Sequence, residues 1–305
     1  MRSPSHAATG YVFVAIGATL FAVSASVVKV IEHTGFDAQR LTQVRSTGAF
    51  VGLALVALVT RREEAARLTR RELVSIAAFG VGGLALVQWS YFFAIHRLPI
   101  GEALLIQYVA PLLVALWARF AFHERVRRRL WAALALSLCG LVLIVRLWRG
   151  ELDGLGIAIA GVACVSYAFY LLLAEHATRR RDPVTLLAWG FLFATLFWAL
   201  AQPWWSFPTG HFSGRTSLLG HLSSLHLPLW LLVLWMVVLG SIVPFLLVVS
   251  ALPRIGATRT AIVAMLEPVV AIVVAWAWLG ESLGGIQILG AACTLAGIAL
   301  AQTAR

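Results

Sequence analysis

Two stretches of this chain can be laid over each other without a gap. Residues 94–124 read AIHRLPIGEALLIQYVAPLLVALWARFAFHE, and residues 251–281 read ALPRIGATRTAIVAMLEPVVAIVVAWAWLGE. Both stretches are apolar, and both end on a glutamate. Identical pairs at this offset include Ala94 and Ala251, Arg97 and Arg254, Pro111 and Pro268, Glu124 and Glu281, and, beyond the stretches, Gly140 and Gly297. Self-similarity at one fixed offset predicts a duplicated fold.

The composition predicts an all-α integral membrane protein. Of the 305 residues, 61% are hydrophobic and only 12% are charged, and the mean hydropathy is +0.89. A soluble domain carries about 25% charged residues, so this chain needs a lipid environment. No run alternates polar and apolar residues in the way a membrane barrel requires, so strands are not expected.

A membrane-spanning helix needs about 20 mostly apolar residues. Ten segments meet this requirement: Gly10–Ile31, Leu41–Thr60, Leu73–Ile95, Ile100–Phe120, Leu130–Leu147, Leu155–Ala174, Val184–Trp204, Leu229–Leu252, Ala257–Leu279 and Gly284–Gln302. The first five helices form one repeat (1–150) and the last five form the second (151–305). Because five is odd, the second repeat enters the membrane from the opposite side, which is the inverted arrangement found in many transporters.

The basic residues predict the orientation. Most of the 24 Lys and Arg residues lie in alternate loops, with arginine clusters at 61–71, 125–129 and 179–181. Basic loops are retained in the cytoplasm, so we expect these loops and both termini there. This distribution explains the net charge of +11 without nucleic acid as a partner. The three cysteines lie inside apolar runs and are expected to be packing residues.

The duplicated segments resemble the EamA family of the drug/metabolite transporter superfamily. The likeness rests on residues 98–124, with Pro111 at mid-helix, and on residues 255–281, with Leu266-Glu267-Pro268 and Gly280-Glu281. It extends roughly from Gly10 to Gln302 as two units. The resemblance implies ten helices, both termini in the cytoplasm and a bacterial plasma membrane location. It also implies a central cavity lined mainly by helices one, three, four, six, eight and nine, and the export of amino acids or other metabolites.

Glu267 is the clearest candidate for a functional charge. It lies near the middle of helix nine, where an ionisable group costs about 2.5–3.5 kcal/mol unless it faces a cavity or a partner. The adjacent Pro268 removes a helical N–H and opens the preceding turn. Glu267 is therefore either a site for a proton or a cationic substrate group, or a structural residue hydrogen-bonded across helices. Lys29, Arg45 and Glu102 lie near outer helix ends and are expected to reach the interface. Lys29 also stays a candidate for binding a carboxylate.

Neutral polar and aromatic residues inside the helices are the expected cavity wall, although each aromatic could instead serve helix packing. Such a wall suits a small amphipathic solute. The predicted binding residues are Phe21, Ser24, Gln88, Trp89, Tyr91, Gln107, Tyr108, Ser166, Tyr167, Tyr170 and Glu267.

These features predict a secondary transporter that exports or exchanges a small metabolite, such as an amino acid, by alternating access around a midplane cavity. The alternative within transport is a nucleotide-sugar or lipid-linked carrier. The sequence also leaves open a non-transporting membrane scaffold and a membrane-embedded enzyme, and no cluster of catalytic groups favours the enzyme. No GxxxxGK[ST] phosphate loop is present. No metal site and no cofactor are expected, and the oligomeric state stays open.

Overall fold

The computed structural model describes residues 4–60, 68–98, 100–121, 123, 127–145, 153–206 and 214–303, with the side chains of 4–6 and 100–102 excepted. We label its membrane helices α1–α10. They are α1 Pro4–Glu32, α2 Ala38–Thr60, α3 Arg70–Ile95, α4 (Ile100–Gln107 and Ala110–Phe120), α5 Arg128–Val145, α6 Gly154–Ala177, α7 Pro183–Ala201, α8 (229–255), α9 (257–279) and α10 Gly285–Thr303.

The boundary between α8 and α9 lies inside a continuous helical stretch, Leu229–Ala264. Gly256 breaks that stretch, since its φ of 79° and ψ of 163° are not helical. The carboxylate of Glu175 accepts a hydrogen bond of 3.1 Å from the amide of Ala257, so the break receives a partner from α6. Among the described residues, nine helices are long and apolar enough to cross a membrane, and Leu266–Leu279 is a shorter apolar helix.

The connection between α7 and α8 contains the part of the fold that the sequence pattern missed. Two strands, β1 Arg215–Ser217 and β2 His226–Pro228, pair there in an antiparallel ribbon. The expectation of no strands was therefore wrong for this segment. A strand of three residues is too short to show the alternation by which strands are found in a sequence.

Several helices begin at a side chain that caps their free amides. Thr69 and Glu72 form a capping box at the start of α3, and Glu72 also accepts a hydrogen bond of 3.0 Å from Arg181. Asp182 caps α7. Asp153 caps α6 by accepting from the amide of Gly156 at 3.0 Å, and this bond holds the pKa of the Asp153 carboxyl below its usual range.

α5 and α10 pack closely through small residues. A side chain at Gly140 would collide with Thr294 and Gly290, and one at Gly297 would collide with Ser137 and Ala133. Gly290 meets Gly140 and Ile144, whereas Gly297, later in α10, meets the earlier α5 residues Ala133 and Ser137, so the two helices run antiparallel. The hydroxyl of Thr294 also donates to the carbonyl of Ser137, its partner at the repeat offset of 157. Repeat-equivalent residues thus face each other, as they do across a two-fold axis.

α3 and α8 each contain a π-helical segment, Phe79–Ala85 and Val238–Ile242 respectively. Gly83 and Gly240, which correspond at the repeat offset, lie within them. Gly83 approaches the backbone of Tyr170 on α6, and Gly240 approaches Ser24 on α1. Each repeat therefore packs its third helix against the first helix of the other repeat.

Candidate functional site

Glu267 lies in the middle of the bundle beside a break in α4. Helical geometry is interrupted between Gln107 and Ala110, and this break precedes Pro111. The hydroxyl of Tyr108, at the break, donates a hydrogen bond of 2.7 Å to Oε2 of Glu267. Pro268 places Glu267 in the first turn of a new helical segment, Leu266–Val274. Two matched prolines thus bring a tyrosine of one repeat to a carboxyl group of the other.

A chain of aromatic rings leads away from this pair. Tyr108 meets Tyr167 edge to face at 6.1 Å between ring centroids, and Tyr167 stacks on Tyr170 at 6.0 Å. Tyr170 meets Phe245 at 5.9 Å, and Phe245 meets Phe21 at 5.0 Å. The rings belong to α4, α6, α8 and α1, so the chain crosses the bundle from one repeat to the other and back.

Five of the predicted site residues therefore lie in one connected group, namely Glu267 with Phe21, Tyr108, Tyr167 and Tyr170. Tyr91 on α3 is not in this connected group, because it packs against the buried residues Ala94, Leu98, Ala103 and Ala160. Gln107 is next to Tyr108, and its Oε1 is buried with no hydrogen-bond partner among the described residues. Ser166 is buried on α6, one residue before Tyr167.

Three other predicted site residues are engaged elsewhere. The Gln88 amide donates to the carbonyl of Leu84 in its own helix at 2.9 Å. Trp89 pairs with the exposed Phe93 at 5.6 Å between ring centroids. Ser24 is buried against Gly240, and its hydroxyl makes no hydrogen bond within the described part of the chain.

The expectation that Arg45 reaches the membrane interface was wrong. Nε of Arg45 donates to the Ser241 hydroxyl at 3.1 Å, and Nη2 donates to the carbonyl of Gly240 at 3.0 Å. Gly240 lies near the middle of α8, and Arg45 also interacts electrostatically with Glu267. The residue four positions after Gly240 is Pro244, which has no N–H, so the Gly240 carbonyl lacks its usual helical donor and can accept from Arg45. Hydropathy alone gives no signal of such an acceptor.

Lys29 is not part of this group. Its Nζ lies 2.6 Å from Oε1 of Glu281, and both side chains are more than half exposed. Glu124, the repeat partner of Glu281, lies outside the described residues, and the same is true of the Glu102 side chain. Phe245 and Phe79 are aromatic neighbours of Tyr170 that sequence reasoning did not single out. A proline directly before Phe245 was the one available signal.

Comparison with known proteins agrees with this architecture. The EamA-like transporter family matches the chain over residues 8–146 and again over 154–303. The threonine/homoserine exporter RhtA of Salmonella typhimurium is 30% identical over 227 residues, covering 72% of this chain and 69% of the exporter. An uncharacterized transporter of Archaeoglobus fulgidus is 29% identical and covers 76% of each chain.

A solved crystal structure superposes with a TM-score of 0.74 and covers 98% of this chain and 97% of its own. At 20% identity it shows that the fold is shared. Both halves of the chain match the same family, in agreement with the duplication in its sequence. The chain is therefore a membrane transporter that belongs to the EamA-like transporter family.

Proposed function

We propose that this protein is a secondary transporter that exports or exchanges a small amphipathic metabolite, with amino acids as the first candidates, by alternating access around Glu267. The observation that carries the proposal is the hydrogen bond between Tyr108 and Glu267. It joins the two repeats at the helix breaks before Pro111 and Pro268, near the middle of α4 and α9. A carboxyl group, tyrosine hydroxyls and aromatic faces together suit a solute with a charged end and an apolar body.

The proposed topology has ten crossings in two inverted repeats, with both termini in the cytoplasm. The antiparallel packing of α5 and α10 across equivalent residues supports the inversion. The break at Gly256 supports counting α8 and α9 as separate crossings. Alternating access then follows from symmetry, because exchanging the conformations of two inverted repeats interconverts the inward-open and outward-open states.

Reporter fusions test this topology directly. A reporter at Arg305 and one inserted within residues 213–224 should report opposite sides of the membrane. If both report the same side, the ten-crossing arrangement is wrong.

Counterflow in proteoliposomes tests the transport proposal. Vesicles containing the purified protein are loaded with one unlabelled solute and diluted into a trace of the same solute carrying a radiolabel. The panel should contain neutral, acidic and basic amino acids, amines, carboxylic acids and a nucleotide sugar. Transient accumulation of one solute class, absent from protein-free vesicles, is the expected result. Counterflow of the nucleotide sugar alone would replace amino acids by the alternative carrier function, and absence of counterflow for every solute would refute the proposal.

A further inference from the structure

Arg45 in α2 is an unusual feature of this bundle. Arg45 is the eighth residue of a 23-residue helix, and its guanidinium is bound to the middle of α8 rather than to the helix end. A charged side chain at this depth is costly and faces the interior of the bundle, a partner or water. The corresponding helix of the second repeat, Pro183–Ala201, contains no charged residue. The fold itself therefore does not require a cation here.

The guanidinium is only partly used by the protein. An arginine carries five N–H donors in a planar fork. Two hydrogen bonds, to Ser241 Oγ and the Gly240 carbonyl, are made within the described residues. Both acceptors are neutral. None of the ion pairs within 4 Å among the described residues includes Arg45. The two bonds hold the guanidinium in place, and Nη1, which has no hydrogen-bond partner among the described residues, can bind an oxygen.

Arg45 and Glu267 are at similar depth. Gly240, whose carbonyl binds the guanidinium, lies near the middle of α8, and Glu267 lies near the middle of α9. α1 packs against both the π-helical segment that holds Gly240 and the segment that holds Glu267. Along α1, Ser24 lies against Gly240, and Phe21, one turn away, begins the aromatic chain that leads to Tyr108 and Glu267. A cation and an anion are thus both held on segments that pack against α1 near the middle of the bundle.

We propose that Arg45 binds the carboxylate of a zwitterionic solute whose ammonium group is bound at Glu267, and that the tyrosine rings beside Glu267 contact its side chain. Arg45 is then a specificity-determining residue, and the substrate class is the free α-amino acid. This inference rests on the proposed transport function and names its substrate. A planar guanidinium suits this task, because it can bind both oxygens of a carboxylate side by side.

The test is competition in the same counterflow assay. Radiolabelled L-threonine is the probe, and unlabelled L-threonine, L-threoninamide and N-acetyl-L-threonine are the competitors. Wild-type protein should be inhibited by threonine at least about tenfold more strongly than by either analogue, since each analogue lacks one charge. Equal inhibition by threonine and its amide would overturn the role of Arg45 while leaving the transport proposal intact.

Variants separate binding from structure. Arg45→Gln should lose the preference for threonine over threoninamide and keep the preference over N-acetylthreonine. Arg40→Gln is the matched control. Arg40 is on the same helix, but it lies at the start of α2, where it donates to the carbonyl of Pro203. This variant should keep both preferences. A merely structural Arg45 would lower the amount of folded protein or the rate for all solutes without changing either preference.

Further outcomes of these experiments are also decisive. If Arg45→Gln does not fold, Arg45→Lys keeps the charge and should retain the preference over the amide with weaker binding of threonine. A folded Arg45→Lys variant that binds threonine as tightly as the wild type but has lost the preference over the amide would overturn the assignment. If threonine does not exchange but carboxylic acids or amines alone do, the zwitterion site is refuted and transport is upheld. If no solute exchanges, the transport proposal itself fails.

Discussion

The π-helical segments of α3 and α8 occupy equivalent places in the two repeats, but their surroundings differ. At the α3 segment, Gly83 lies against Tyr170, and Phe79 stacks on the same ring at 5.5 Å. At the α8 segment, Gly240 lies against Ser24 and its carbonyl accepts from Arg45. One segment is enclosed by aromatic rings, and the other holds a charge.

This difference shows that the two repeats share backbone features but differ in the side chains around the proposed site. Backbone shape is shared, including the π-helical segments, the mid-helix prolines and the glycines of the α5–α10 contact. The charges inside the bundle are not shared. Glu267 corresponds to Ala110 in the first repeat, and α7 has no counterpart of Arg45. The departures from symmetry therefore lie around the proposed solute site, which binds an asymmetric molecule under our proposal.

The contact between α5 and α10 is the symmetric reference, and damage to it should have the largest effect. Gly140→Leu places a side chain against the backbone of Gly290, which cannot move aside as a flexible side chain would. We expect a loss of about 1–3 kcal/mol or more in the free energy of unfolding. Gly161→Leu is the control, because a Cβ at Gly161 on α6 meets nothing within 4 Å. Thermal unfolding of the purified variants measures both effects, and equal stabilities would contradict the close packing described here.

The asymmetric carboxyl group is tested by Glu267→Gln. Glutamine preserves the shape and still offers an oxygen to Tyr108, but it cannot exchange a proton. If proton exchange couples transport to a pH gradient, gradient-driven transport should fall by about tenfold or more, as expected for loss of a proton-transfer group. Solute-for-solute exchange should survive better, since it needs no net proton movement. Wild-type gradient-driven transport would rule out the proton role, and loss of folded protein would favour the structural interpretation.

The sequence predicted the backbone of this molecule better than its site. Hydropathy located nearly every helix, since burial in lipid acts on about 20 residues at once. The repeat offset indicated which helices correspond. Neither signal could locate Arg45, because its destination is the Gly240 carbonyl. Pro244 indicates in the sequence that this carbonyl lacks a helical donor, but it does not indicate which side chain reaches it. Tyr108 and Glu267 were both selected as polar groups at membrane depth, but the bond between them depends on how the two repeats dock.

The π-helical segments of α3 and α8 can be compared by adding one methyl group to each. Gly240→Ala should destabilise more than Gly83→Ala, because a Cβ at 240 overlaps the Ser24 hydroxyl, whereas one at 83 meets Tyr170 at 3.1 Å. Ser24→Gly should rescue Gly240→Ala by removing that overlap. A coupling energy of about 0.5–3 kcal/mol is expected for residues in contact. Additive losses in the double variant would show that Gly240 matters for another reason, such as backbone conformation.

The smallest effect is expected at the ion pair between Lys29 and Glu281. It joins the end of α1 to the end of α9 at 2.6 Å, but the two side chains are 58% and 52% exposed. Exposed pairs contribute about 0–1 kcal/mol, so Lys29→Gln should change the stability very little. The pair between Arg181 and Glu72 is the internal comparison, since its side chains are only 13% and 23% exposed and Glu72 also caps α3. Arg181→Gln should therefore cost more than Lys29→Gln at low salt, and thermal unfolding of both variants measures the difference. The reverse order would mean that the exposed pair stabilises the contact between α1 and α9 more than its exposure suggests.

Lys29→Gln should also leave the counterflow of threonine unchanged, because the carboxylate site is assigned to Arg45. A loss of the preference over threoninamide in this variant would move that assignment to Lys29.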